Sequence, residues 1–173
     1  KILLEKFSME NVSFALKMPK DSLFLRTNFP NVVLREGWVD LYESSYFVKK
    51  FTVDKAALAY DMGLEAHRLP ADSLRGFHPS HLSFENLNLQ VDSAYYCGRD
   101  IRARISRFDW KERSGLELVS TEGRLIADNE KIAIPKLVMK TAASSLDLQT
   151  AISWDVLEMK KTGLLSARLL AEI

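Results

Sequence analysis

Every second residue is apolar through much of this chain, and that period restricts it to β-structure. Val12, Phe14, Leu16 and Met18 alternate with Ser13, Ala15 and Lys17, and Leu87, Leu89 and Val91 with Asn88, Gln90 and Asp92. Ile101, Ala103 and Ile105 alternate with Arg102, Arg104 and Ser106; Leu146, Leu148, Thr150 and Ile152 alternate with Ser145, Asp147, Gln149 and Ala151. Successive side chains of a strand leave opposite faces, so period two marks a strand with one apolar side. Turn-forming residues punctuate the runs at Pro19-Lys20-Asp21, Arg35-Glu36-Gly37, Ser114-Gly115, Thr121-Glu122-Gly123 and Ala127-Asp128-Asn129. Short strands so spaced, with no long helix between them, predict antiparallel hairpins and meanders. Residues 56–62 read as strand through Met62.

The parity breaks at one place. Ile101, Ala103 and Ile105 are odd, whereas the next apolar residues, Phe108 and Trp110, are even. A one-residue shift reverses every side chain, so a bulge or bend near Ser106-Arg107 is required to keep both sets on one face. Helix is scarce. Its best candidate is Asp155 to Lys161, with Asp155 as cap, Lys160 and Lys161 at the C-terminal end and Gly163 closing it. The stretch from Leu69-Pro70 to His81 reads as the longest loop, because Pro70, Gly76 and Pro79 interrupt it. Phe51-Thr-Val53-Asp54-Lys-Ala56 is echoed by Leu89-Gln-Val91-Asp92-Ser-Ala94, either as internal repetition or as chance likeness.

Composition sets outer bounds. The 173 residues are 47% hydrophobic and 27% charged, which excludes a disordered chain. Lys and Arg number 24 against 23 Asp and Glu, so no global basic field exists for nucleic acid. No apolar run reaches the length, about 18 residues, that spans a bilayer. The single Cys97 rules out an internal disulfide framework and a multi-cysteine zinc site, and reads as structural. The chain starts at Lys1-Ile2-Leu3-Leu4, without an initiator Met or a signal pattern, and reads as cut from something longer.

Catalytic chemistry is not evident. His78-Pro79-Ser80-His81 carries two imidazoles, but Pro79 breaks the helix such a metal motif uses, and a polar loop is the simpler reading. His67 stands alone, no Gly-x-Ser-x-Gly elbow exists, and the glycines are scattered rather than clustered into a phosphate loop. Neither a metal nor a cofactor is expected. The basic cluster Arg99, Arg102, Arg104 and Arg107 is more specific. Arg102 and Arg104 share one strand face, opposite Ile101, Ala103 and Ile105. They suit either phosphate capture from a headgroup or a solvated face paired with acids on the next strand. Balanced total charge favours the second.

What covers the apolar faces is then the open question. Without helices, the sheet must pair with another sheet as a closed sandwich, or leave an apolar concavity for a ligand. Period alone does not choose.

Two phrases tip the balance. Phe108-Asp-Trp110-Lys-Glu-Arg-Ser114-Gly115-Leu116-Glu-Leu118 runs into Gly123-Arg-Leu125 and Ala127-Asp128, and later comes Ile134-Pro-Lys-Leu137-Val-Met139-Lys-Thr141-Ala-Ala-Ser-Ser145-Leu146. This succession resembles the AsmA-like proteins, in particular the TamB-type (translocation and assembly module) proteins of Bacteroidota. The likeness is best over 87–152, thinner over 37–62 and negligible before residue 30. It implies a mainly β fold, an elongated, curled, largely antiparallel sheet forming a groove; the short helix read near 155–161 departs from the family's pattern, as an insertion between groove strands. It implies one β-rich segment, 1–173, of a longer repeat protein in the periplasm, anchored in the inner membrane by a part outside this segment. Phospholipid acyl chains are the implied cargo, or an outer-membrane barrel the implied assembly partner. On this reading Leu87, Leu89, Val91, Ile101, Ala103 and Ile105 line the groove. Arg102 and Arg104 are the headgroup or surface basic residues. The competing expectation is a closed β-sandwich that binds another protein.

Overall fold

A computed structural model describes residues 1–18, 23–62, 76, 78–154 and, for the backbone, 166–172. Nine strands form one antiparallel sheet in which each strand pairs with its sequence neighbours, β1 to β9 in order. They are β1 (Ile2–Met18), β2 (Leu23–Asp40), β3 (Ser45–Met62), β4 (His81–Cys97), β5 (Asp100–Glu112), β6 (Glu117–Ala127), β7 (Lys131–Thr141), β8 (Ser145–Ser153) and β9 (Ser166–Glu172). β1 and β9 do not pair, so the sheet is open. The expected antiparallel β-sheet is present, and the closed sandwich is not what the described strands form. The helix expected over 155–161 and most of the loop expected over 69–81 lie outside the described residues.

Strand length departs from expectation. β1 to β4 run 17 or 18 residues each, then the strands shorten to 7 in β9. Two expected turns, Arg35-Glu36-Gly37 and Thr121-Glu122-Gly123, sit inside β2 and β6. Their glycines serve close approach rather than chain reversal. A Cβ on Gly37 would lie 2.6 Å from the Phe47 carbonyl oxygen, and one on Gly123 would lie 2.8 Å from Leu137 Cδ1. Real turns stand at Ser114-Gly115 and at Asp128-Asn129. At the latter the Asp128 carboxylate accepts the N–H groups of Glu130 and Lys131 at 2.8 and 3.0 Å.

The long strands hold together because they change face without ending. Asn11, Glu36, Lys55 and Asn86 have φ between 51° and 55°, a left-handed backbone that only a few non-glycine residues adopt. Around them alternation inverts, so residues three apart share a face. The Cβ position of Gly37 lies 3.6 Å from Leu34 Cδ2, and Val53 and Ala56 are buried in one cluster with Val32. The register shifts on both sides of Ala56, and Asn88 Oδ1 accepts the Lys55 N–H at 2.9 Å. The defect anticipated near Ser106-Arg107 is of this kind. Gln90 pairs with Arg107 and Val91 with Ile105, which leaves Ser106 as the extra residue. Phe108 thereby returns to the side of Ile105.

A single sheet has little interior. Among the described residues, the buried apolar side chains are Val32, Val53, Ala56, Leu118 and Ala127, and no large side chain is fully buried. The chief cluster joins β2 and β3, with Met9, Phe29, Phe51, Leu87 and Leu89 packed against it.

Candidate functional site

Cross-strand partners point to the same face of a sheet, so the register reads out what each face carries. One row runs Phe7–Leu34–Phe51–Val91–Ile105–Gly123–Leu137–Leu148, each residue the direct partner of the next, from β1 to β8. Leu169 of β9 continues it in register. A second row runs Ile2–Val39–Tyr46–Tyr96–Ile101–Ala127–Ile132–Ile152. Apart from two phenol hydroxyls, neither row contains a polar side chain.

Between these rows lies a third, Leu4–Gly37–Val48–Ala94–Ala103–Leu125, built largely of smaller side chains. Small residues flanked by large ones make a trough that crosses the strands. It is a concavity of 350 Å³ whose lining includes Leu4, Leu34, Gly37, Val48, Ala94 and Ala103. Tyr46 and Tyr96 stand at its rim, 43% and 45% exposed, with ring centroids 5.9 Å apart. Such a surface recognises length and flexibility, not functional groups: it excludes water from a chain laid along it and offers no fixed donor or acceptor along its floor.

The six apolar residues expected to line a groove all lie on this face. Ala103 and Ile105 belong to the trough and its wall with Ile101, and Val91 pairs with Ile105. Leu89 pairs with Val53, and Leu87 with Ala56, in the cluster beyond the wall. Sequence reading missed Leu34, Val48, Phe51 and Leu137, which complete the rows. Their signal was present as apolar residues three apart around a polar pair, as in Val48-Lys49-Lys50-Phe51.

The other face carries most of the charged side chains, beside the row Trp38–Phe47–Tyr95–Arg102, and the two basic candidates on it differ. Arg102 pairs with Asp100 on its own strand, Nε to Oδ1 at 3.1 Å. Arg107 is likewise held by Asp109, which keeps the guanidinium pKa raised. Arg104, by contrast, lies directly opposite Arg124. Arg104 makes no ion pair but acts on the charge of Asp92 on the neighbouring strand β4, while Arg102 finds its acid two residues back along the chain.

His81 opens β4, is buried, and its Nδ1 lies 3.2 Å from Asp61 Oδ1, with the His78 ring 4.8 Å away between centroids. Among the described residues no three His, Cys, Asp or Glu side chains are grouped to hold a metal. Cys97 is a half-buried free thiol with Sγ 3.8 Å from the Glu43 carbonyl oxygen. No protein-family model, curated protein or solved structure matches the chain, so what the sheet does is argued from its two faces.

Proposed function

We propose that this chain is a non-enzymatic, lipid-holding segment of a larger AsmA- or TamB-like protein of the periplasm, with phospholipid acyl chains as its cargo. The observation that carries the proposal is the uninterrupted apolar row from Phe7 to Leu148, on a sheet with no second layer among the described strands. An acyl chain leaving water gains about 0.8 kcal/mol per buried methylene, so a featureless apolar surface suffices to hold it. The absence of fixed polar partners along the rows suits movement, since every position offers nearly the same free energy. Such a surface would lie within a longer sheet carrying phospholipid between inner and outer membranes, or beside a barrel during its assembly.

Native mass spectrometry of the chain expressed in bacteria and purified without detergent tests the reading. Bound phospholipid is expected, and Phe51→Glu with Ile105→Glu is expected to lose most of it while β-structure by circular dichroism persists. Lipid-free protein, or lipid retained by the double variant, sinks the proposal. The first result would favour the same face as a protein-binding surface.

A further inference from the structure

The polar face carries a second ordered row, and it is cationic. Lys6, Arg35 and Lys50 are direct partners across β1, β2 and β3. Arg104, Arg124 and Lys136 are direct partners across β5, β6 and β7. All six are exposed. Like charges directly opposite one another on a sheet are destabilising, and here the arrangement occurs twice in succession on each side of β4. Asp92 and Ser93 occupy the gap; Arg104 and Lys50 both help to lower the Asp92 pKa, after hydrogen bonding from Gln90.

Asp92 offsets part of the charge of Lys50 and Arg104, and Glu122 lies two residues from Arg124, so the six cations keep a positive excess. Glu36 is engaged by Lys49, Asp100 by Arg102 and Asp109 by Arg107. Among the described residues, no carboxylate stands within ion-pairing distance of the six cations. At strand spacing, the row from β1 to β7 extends about 29 Å. Next to it runs an aromatic set: Trp38 stacks on Phe47 and meets Tyr95 edge-on, each at 6.1 Å between centroids.

We infer that the polar face docks on the phosphate-rich surface of an anionic lipid bilayer. A straight band of exposed cations matches a surface of delocalised negative charge better than it matches one small anion, and the depression that Arg104, Arg124 and Lys136 line is shared by the carboxylate-bearing Glu122. Trp and Tyr beside Lys and Arg are the residues that settle at the level of lipid headgroups. Single-stranded nucleic acid also uses cations with aromatic rings, but it needs ring faces free for stacking. Here Lys1 Nζ sits 3.7 Å above the Trp38 ring, which also meets Phe47 and Tyr95. The inference concerns the face opposite the apolar rows and does not depend on what those rows hold.

Co-sedimentation of the whole chain with vesicles separates the two faces. Vesicles of phosphatidylcholine alone report binding by the apolar face; vesicles with added phosphatidylglycerol report the increment owed to charge. That increment is expected to be tenfold or more at low salt and to vanish in about 1 M NaCl, where the screening length falls to about 3 Å. Replacing Arg104, Arg124 and Lys136 by Gln, or Lys6, Arg35 and Lys50 by Gln, is expected to remove most of it. Circular dichroism and unfolding midpoints should hold or rise, because like-charge repulsion is relieved. An increment that survives both triple variants overturns the inference, as does the absence of any increment. So does displacement of the chain from anionic vesicles by an equal phosphate concentration of oligo-dT.

Discussion

A carboxylate can be stable in a nearly buried place if enough N–H and O–H groups point at it, and Glu112 at the end of β5 shows how. It is 3% exposed. Burial opposes its charge, yet the Ser114 hydroxyl and the backbone N–H groups of Ser114, Ser83 and Arg113 outweigh burial and hold the pKa below the usual range. Its Oε2 accepts the Ser114 N–H at 2.6 Å and its Oε1 the Ser83 N–H at 3.2 Å, tying the 113–116 turn to β4. A group whose folded pKa is depressed contributes stability above its unfolded value, about 4.3 for Glu, and loses it as pH falls through the folded value. Glu112→Gln is therefore expected to cost about 1–3 kcal/mol at pH 7. The gap from the parent chain should narrow steadily below about pH 4. Urea unfolding at pH 7 and pH 3 measures both; a gap that stays constant across that range contradicts the role assigned to the charge.

At the scale of the strand, the controlling device is the face inversion. Val53-Asp54-Lys55-Ala56 and Val91-Asp92-Ser93-Ala94, which look like a repeat in sequence, both place Val and Ala on the apolar face across a polar pair. Ile105-Ser106-Arg107-Phe108 does the same with an unpaired Ser106, whose hydroxyl lies 3.4 Å from the Gln90 carbonyl oxygen. Deleting Ser106 and Arg107 together, so that Phe108 follows Ile105 directly, should turn Phe108 and Trp110 towards the polar face. Trp110 would lose its edge-on contact with Phe84, 4.8 Å between centroids, and its register partner Leu118. A loss of several kcal/mol, or aggregation on expression, is the expected outcome, since burying large aromatic side chains contributes on the order of 3 kcal/mol each. A deletion variant as stable as the parent in urea would show that register alone does not hold these rings.

The same device explains what could be read beforehand. Period two exposed β1, β4, β5 and β8 and the six apolar residues on β4 and β5, because alternation states which face a side chain takes. It misjudged Gly37 and Gly123, since a glycine beside charged residues looks alike in a turn and in a strand where another backbone passes close. What separates the two cases is the identity of the neighbouring strand, which is long-range information. Leu34, Val48 and Phe51 were hidden for a related reason: an inversion moves them off period two, although the three-residue spacing around a polar pair records it. The cationic row was invisible, because its members come from strands far apart in sequence and meet only through register.

Across the whole sheet, each strand pairs only with its sequence neighbours, so stability is chiefly a sum of adjacent pairings, not the property of one core. Such quasi-one-dimensional molecules do not share their strength evenly. The buried cluster of Val32, Val53 and Ala56 lies between β2 and β3, strands of 18 residues each, whereas β8 has 9 residues and β9 has 7. Fewer ladder bonds and fewer packed side chains per pairing should let the sheet open from its short-stranded side. Native-state hydrogen exchange is expected to show backbone N–H groups of β2 and β3 protected best, with protection falling stepwise through β5 and β7 to β8. Adding the phospholipid proposed as cargo of the apolar face should raise protection in the middle strands, whose side chains carry the rows, more than at β8. Uniform protection from β2 to β8 would mean that the sheet unfolds as one cooperative unit, and would overturn this graded picture of a surface held open on one side and progressively looser towards the other.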